Sequence, residues 1–163
     1  MRRTSQGSTA ARGLLIGLAA GAAGTTALNA VTYLDMTVRA RPASSSPEDT
    51  AEKLADKLGV DIPGDDDARK NRLAGLGPLI GLFAGIGVGG ALGVARALGF
   101  RPNLLVAGGL TGAAAMAGTD APMAALGVTD PRAWAVKDWL SDAVPHLAYG
   151  LVTAAVAGAL DRR

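Results

Sequence analysis

The charged residues of this chain are spaced so that four long uncharged runs lie between them. Between Arg12 and Asp35, the 22 positions from Gly13 to Leu34 carry no charge. As a helix they would reach about 33 Å, enough for the roughly 30 Å hydrocarbon core of a bilayer. Between Arg72 and Arg96 lie 23 uncharged positions, Leu73 to Ala95. From Pro102 to Thr119 there are 18 more, and apolar character resumes past the lone Asp120 as far as Val128. A last run of 18, between Asp142 and Asp161, is interrupted only by His146. Runs of this length mark membrane spans. The pattern predicts an all-α bundle of four transmembrane helices at about 13–34, 73–96, 102–126 and 143–160, one integral membrane domain over 1–163.

Two other readings of the runs are weaker. A water-soluble bundle would have to bury Ala/Gly helices free of charge over 18 or more residues, whereas soluble helices keep a polar face. A cleaved leader fits Arg2, Arg3 and Arg12 ahead of an apolar run, but that run exceeds the usual apolar region of a signal peptide. Leu28 and Asn29 also make a poor approach to cleavage after Ala30.

The one long hydrophilic stretch, 35–72, opens with the linker Ala40-Arg41-Pro42-Ala43-Ser44-Ser45-Ser46-Pro47. Ser46 as N-cap, Pro47 in the first turn and Glu48 and Asp49 near the positive helix end predict a short amphipathic helix. It carries Ala51, Leu54, Ala55 and Leu58 on one side and stops at Gly59. Pro63-Gly64-Asp65-Asp66-Asp67 lacks the alternation of a calcium loop and reads as a turn capping the next helix.

Small residues recur at intervals of four. The second span has Gly77, Gly81, Gly85, Gly89 and Gly93; the first has Gly13, Gly17 and Gly21; the fourth has Gly150, Ala154 and Gly158. Each helix-interior glycine loses about 1 kcal/mol against alanine, so aligned rows imply a compensating close approach of backbones. Glycine-zipper packing within the bundle is expected, with self-association as the other use of such faces.

Composition narrows the chemistry. The absence of Cys excludes disulfides, thiolate metal sites and cysteine nucleophiles, and a single His excludes a multi-histidine site. No phosphate-binding loop follows a strand, and no nucleophile–base pair is evident, so neither an enzyme nor a cofactor is expected. Net charge is only +2, which gives no basis for a nucleic-acid partner; membrane lipid and a second copy are the expected partners. Basic residues number nine on the side of the long loop and seven on the other, so the balance fixes no orientation.

With four crossings, Asp35, Arg72, Asp120 and Asp142 all approach the membrane face that carries the long loop. His146 lies one turn further in than Asp142, about 6 Å by helical rise, and Asn29 about 9 Å in from Asp35. Tyr149 and Thr153 follow on the fourth helix. Asn29, Asp35, Asp120, Asp142, His146 and Tyr149 therefore form the candidate polar or ion site, either a hydrogen-bond network joining helices one, three and four or a proton- or ion-coupled site. Tyr33, Trp134 and Trp139 mark the same face as an aromatic belt. Asp130-Pro131 opens a predicted interfacial helix leading into the fourth span, where Pro145 is placed to bend or open the junction.

The stretch Ser141-Asp142-Ala143-Val144-Pro145-His146-Leu147-Ala148-Tyr149-Gly150 resembles the acid, histidine and aromatic-glycine pattern in the last helix of the YagU-type inner-membrane proteins. The segment TTALNAVTYLDM, followed by RARPASSSPE, is similar to small multi-pass membrane proteins of actinobacteria. The resemblance implies a multi-pass protein of the inner, or plasma, membrane and no established activity. A structural or accessory role with self-association is the leading expectation; a proton- or ion-coupled small transporter or channel-like protein is the alternative.

Overall fold

The computed structural model describes the backbone of residues 2–162 and the side chains from residue 9 onward. Arg163 and the side chains of Arg2 and Arg3, which enter the charge balance above, lie outside these. The described residues form five α-helices and one 3-10 turn, with no strand: α1 (Arg2–Arg39), α2 (Ser46–Leu58), α3 (Asp66–Ala97), α4 (Leu104–Ala125), the turn Pro131–Ala133 and α5 (Val136–Asp161). Four of them are long and apolar enough to cross a membrane: Thr9–Arg39 of α1, and α3, α4 and α5 whole.

α1, α3 and α5 run past the uncharged segments that foretell them, whereas α4 falls just inside 102–126, starting after the Asn103 cap, whose side chain accepts from the Val106 N–H. α1 continues through Asp35 to Arg39, where the two side chains pair at 2.9 Å one turn apart. α3 starts at Asp66 because the Asp65 side chain accepts from the Ala68 N–H, with Asp66 and Asp67 also in the first turn. The hydrophilic loop is correspondingly shorter than 35–72. α2 begins at Ser46 with Ser45, not Ser46, in the cap position, and Ser45 Oγ bonds the Asp49 carboxylate rather than a backbone amide. It ends as expected at Gly59, whose φ of 66° is left-handed.

α2 folds back antiparallel on the first turns of α3. Ala51 and Leu73 are buried between them, and Arg69 pairs with Glu52. Leu54 and Leu58 stay exposed, so only part of the apolar side of α2 is used.

In the bundle, α1 lies between α3 and α5, and α4 packs on the far side of α5. The shared core is thin: Ala20 of α1, Leu92 of α3, Ala107 of α4 and Ala154 and Ala157 of α5, flanked by Ile16 and Val156. At the end away from the long loop, Asp161 accepts from both Arg96 and Arg101 at 3.2 Å, joining the C-terminus of α5 to the α3–α4 connection.

Close helix contacts explain how so small a core suffices. Along the α1–α3 seam, Gly13 faces Gly93, Gly17 faces Gly89 and Gly21 faces Gly85. A Cβ on Gly13 would lie 2.6 Å from the Gly93 carbonyl oxygen, and one on Gly21 would lie 2.7 Å from that of Gly85. On the α4–α5 seam, a Cβ on Gly112 would lie 2.6 Å from the His146 carbonyl oxygen, and one on Gly150 would lie 2.8 Å from Gly112 Cα. These are backbone contacts that no larger residue permits.

The row of five glycines on α3 does not form one face. Four residues advance an α-helix by about 400°, so each step drifts about 40° around the axis. Gly85, Gly89 and Gly93 stay on the α1 side, Gly81 meets nothing, and Gly77 has turned to the opposite side, against Pro47 and Glu48 of α2. The same drift takes Gly158 out of the row begun by Gly150: only the Arg96 guanidinium comes near it, at 3.9 Å.

Candidate functional site

Three of the six predicted polar residues come together at the loop end of the α4–α5 seam. The seam is tight below them, held at Gly108, Gly112 and Gly150, and ends upward in Asp120 on α4 facing Asp142 on α5. His146 stands one turn along from Asp142. Its Nδ1 lies 2.9 Å from the Asp142 carbonyl oxygen and 3.2 Å from Asp142 Oδ1. Both neighbours are acceptors, so Nδ1 carries a proton and donates.

Asp120 is 9% exposed, one of few polar residues buried among the described positions. Its Oδ1 has no hydrogen-bond partner, and neither does Asp142 Oδ2. Buried carboxylate oxygens without a donor are costly and uncommon. Pro145 sits inside the continuous α5 and is itself buried, so the junction it was expected to open is closed. Its missing N–H still takes one donor from the carbonyl of Ser141, next to Asp142.

The other three residues are elsewhere. Asn29 is exposed on α1, and α1 does not pack against α4, so it takes no part in a network with helices three and four of the span order. Asp35 belongs to a separate cluster: it accepts from Arg39 Nε at 2.9 Å and from Arg41 Nε at 2.6 Å. Arg39 then donates to Ser141 Oγ at 2.7 Å, which fastens the end of α1 to the start of α5 beside Asp142. Tyr149 is fully buried on another side of α5, and its hydroxyl donates to the Gly85 carbonyl of α3 at 2.6 Å. Thr153, also fully buried, donates to the Tyr149 carbonyl at 2.7 Å. The cluster therefore joins α4 to α5, while Tyr149 joins α5 to α3 across α1. Sequence reasoning missed Ser141 and Arg39 as a clamp; their separation of 102 residues leaves no local signal.

The three aromatic residues expected as a belt lie at this same end. Trp134 and Trp139 meet edge to face with centroids 5.1 Å apart, and Trp134 Nε1 donates to Thr129 Oγ1 at 2.8 Å. Tyr33 is exposed on α1. Asp130 caps as expected, accepting from the Arg132 N–H, but the element it caps is a single 3-10 turn; Lys137, Asp138 and Leu140 belong to α5 itself.

Four helices long and apolar enough to cross a membrane give the chain the make-up of a multi-pass membrane protein. It matches no known family model, no curated protein and no solved structure.

Proposed function

We propose that the chain is a non-enzymatic, multi-pass protein of the cell membrane, with a structural or accessory role exercised through self-association. The observation that carries this reading is the amount of apolar surface left over. The apolar windows of the four helices are only 22% to 39% buried within the bundle. The accessible surface is 10037 Å², against about 7,500 Å² for a compact chain of this mass. Lipid covers most of that excess. The outward side of α4 offers small residues at intervals of four, Gly109, Ala113 and Ala117, over two steps, the span through which Gly85, Gly89 and Gly93 keep to one side of α3. A second copy approaches closely there, as α1 and α3 approach each other within one chain.

The absence of cysteine makes the test clean. Ala113→Cys as the sole thiol is expected to form disulfide-linked dimers on oxidation in membranes, and the linkage is expected to fall when Ala117→Leu is added. A chain that stays monomeric with cysteines placed around α4 contradicts self-association by this face.

A second reading, a proton- or ion-coupled small carrier, draws on the unpartnered oxygens of Asp120 and Asp142. Vesicles containing the protein separate the two: a pH-driven flux lost in Asp142→Asn favours the carrier, and its absence in the wild type favours the accessory role.

A further inference from the structure

We propose that Asp120, Asp142 and His146 form a proton-binding site inside the α4–α5 seam, in which the two carboxyl groups hold one proton between them. This goes beyond the accessory role and does not require it, since binding a proton is separable from both dimerisation and passage of ions.

Two facing acids alone would carry no such inference. The second observation is Asp120, nine-tenths buried, aimed at Asp142 and holding an oxygen that no donor reaches. Asp142 is supplied with a single side-chain donor, the Nδ1–H of His146, through Oδ1. Its Oδ2 is left as bare as Asp120 Oδ1. A carboxylate is acceptor-only, so two ionised carboxylates cannot hydrogen-bond to each other. One added proton converts one of them into a donor and cancels one of two like charges in a setting of low polarity. The other carboxylate stays ionised and keeps the imidazole N–H.

Of the cations nearest in sequence to Asp142, Lys137 of α5 is exposed and Arg132 is paired with Asp130. On α1, Arg39 reaches Ser141 but is engaged with Asp35, which also takes Arg41. Arg69 of α3 is held by Glu52 of α2, and Arg72 by the Pro63 carbonyl. On α5, Asp138 one turn nearer the loop accepts from the Ala135 N–H. No group of three or more acidic or histidine side chains among the described residues is arranged to hold a metal ion. A proton supplies the donor that Asp120 Oδ1 and Asp142 Oδ2 lack.

The full-length protein in detergent or nanodiscs, studied by infrared difference spectroscopy across a pH series, tests this. The expected result is a protonated-carboxyl stretching band, sensitive to deuterated buffer, amounting to one carboxyl per chain. It is lost in both Asp120→Asn and Asp142→Asn, kept in Asp35→Asn, and moved along the pH axis in His146→Gln. Circular dichroism shows whether each variant keeps its helices. If an Asn variant unfolds, the wild type still decides through the band itself, which must persist during slow deuterium exchange as a buried acid does. A wild type without such a band at any pH at which it is folded overturns the proposal. So does a band that survives in folded Asp120→Asn and Asp142→Asn, or one that sodium ion abolishes at fixed pH, since the occupant is then an alkali cation.

Discussion

The two tightest helix seams use the same device for different ends. Between α1 and α3, glycine faces glycine over three consecutive levels, from Gly13 and Gly93 to Gly21 and Gly85; the polar groups at the last level, Thr25 and Tyr149, are neutral hydroxyls that donate to the Gly21 and Gly85 carbonyls. Between α4 and α5 the glycines occupy only the part remote from the loop, at Gly108, Gly112 and Gly150; toward the loop the same two helices bring Asp120 to Asp142 and His146. The first seam carries no ionisable acid or imidazole among these contacts and serves to join two helices. A seam that begins in glycine and ends in acid has been given a rigid base from which to hold a polar cluster inside an apolar helix pair. Burying Asp120 and one oxygen of the partly exposed Asp142 is costly in such surroundings.

The largest expected effect tests the joint. Gly17→Leu places a branched side chain where even a Cβ would come within 2.9 Å of Gly90 Cα. Overpacking against backbone that cannot move is expected to cost about 3 kcal/mol or to prevent assembly, read as a lowered midpoint in denaturant titration of the detergent-solubilised protein. A normal midpoint would show that the seam yields. Gly112→Leu is expected to damage the second seam comparably while leaving α1 and α3 together, which cross-links between cysteines placed on α1 and α3 can verify. Tyr149→Phe removes the bond to the Gly85 carbonyl but keeps the ring; a loss of about 1 kcal/mol is expected in the same titration. Smallest and opposite in sign is Gly81→Ala. Nothing lies within 4 Å of its added methyl, so helix propensity alone acts, and a gain of up to about 1 kcal/mol is expected. A large loss at Gly81 would contradict the drift of the glycine row.

That drift also marks where the sequence is readable and where it is not. The four spans are legible because charge is excluded from the hydrocarbon, and Asp35, Arg72, Asp120 and Asp142 bound or interrupt the runs at one end. The helix ends are less so. A charge-free run delimits the part of a helix that sits in oil, and α1 and α3 continue beyond it wherever a pair such as Asp35 and Arg39, or a cap such as Asp65, supports another turn. The pairing of Asp142 with His146 follows from spacing, one turn apart on one helix. Asp120 could be assigned to the same membrane face by counting crossings, but so could Asn29, and only packing distinguishes them. α4 lies against α5 and carries Asp120 inward; α1 lies between α3 and α5 and leaves Asn29 exposed. Gly77 and Gly158 look equivalent to Gly85 and Gly150 in a list of intervals, and differ because four residues are slightly more than one turn.

Both seams join helices whose outer faces are apolar and call for surrounding lipid. Extraction of cell membranes with alkaline carbonate, followed by detergent, tests that most directly. The expected result is a chain that stays with the membrane through the carbonate wash and is released only by detergent. Recovery in the carbonate supernatant as a helical, monodisperse protein would contradict it, and the exposed apolar faces of α3, α4 and α5 would then need a covering other than lipid.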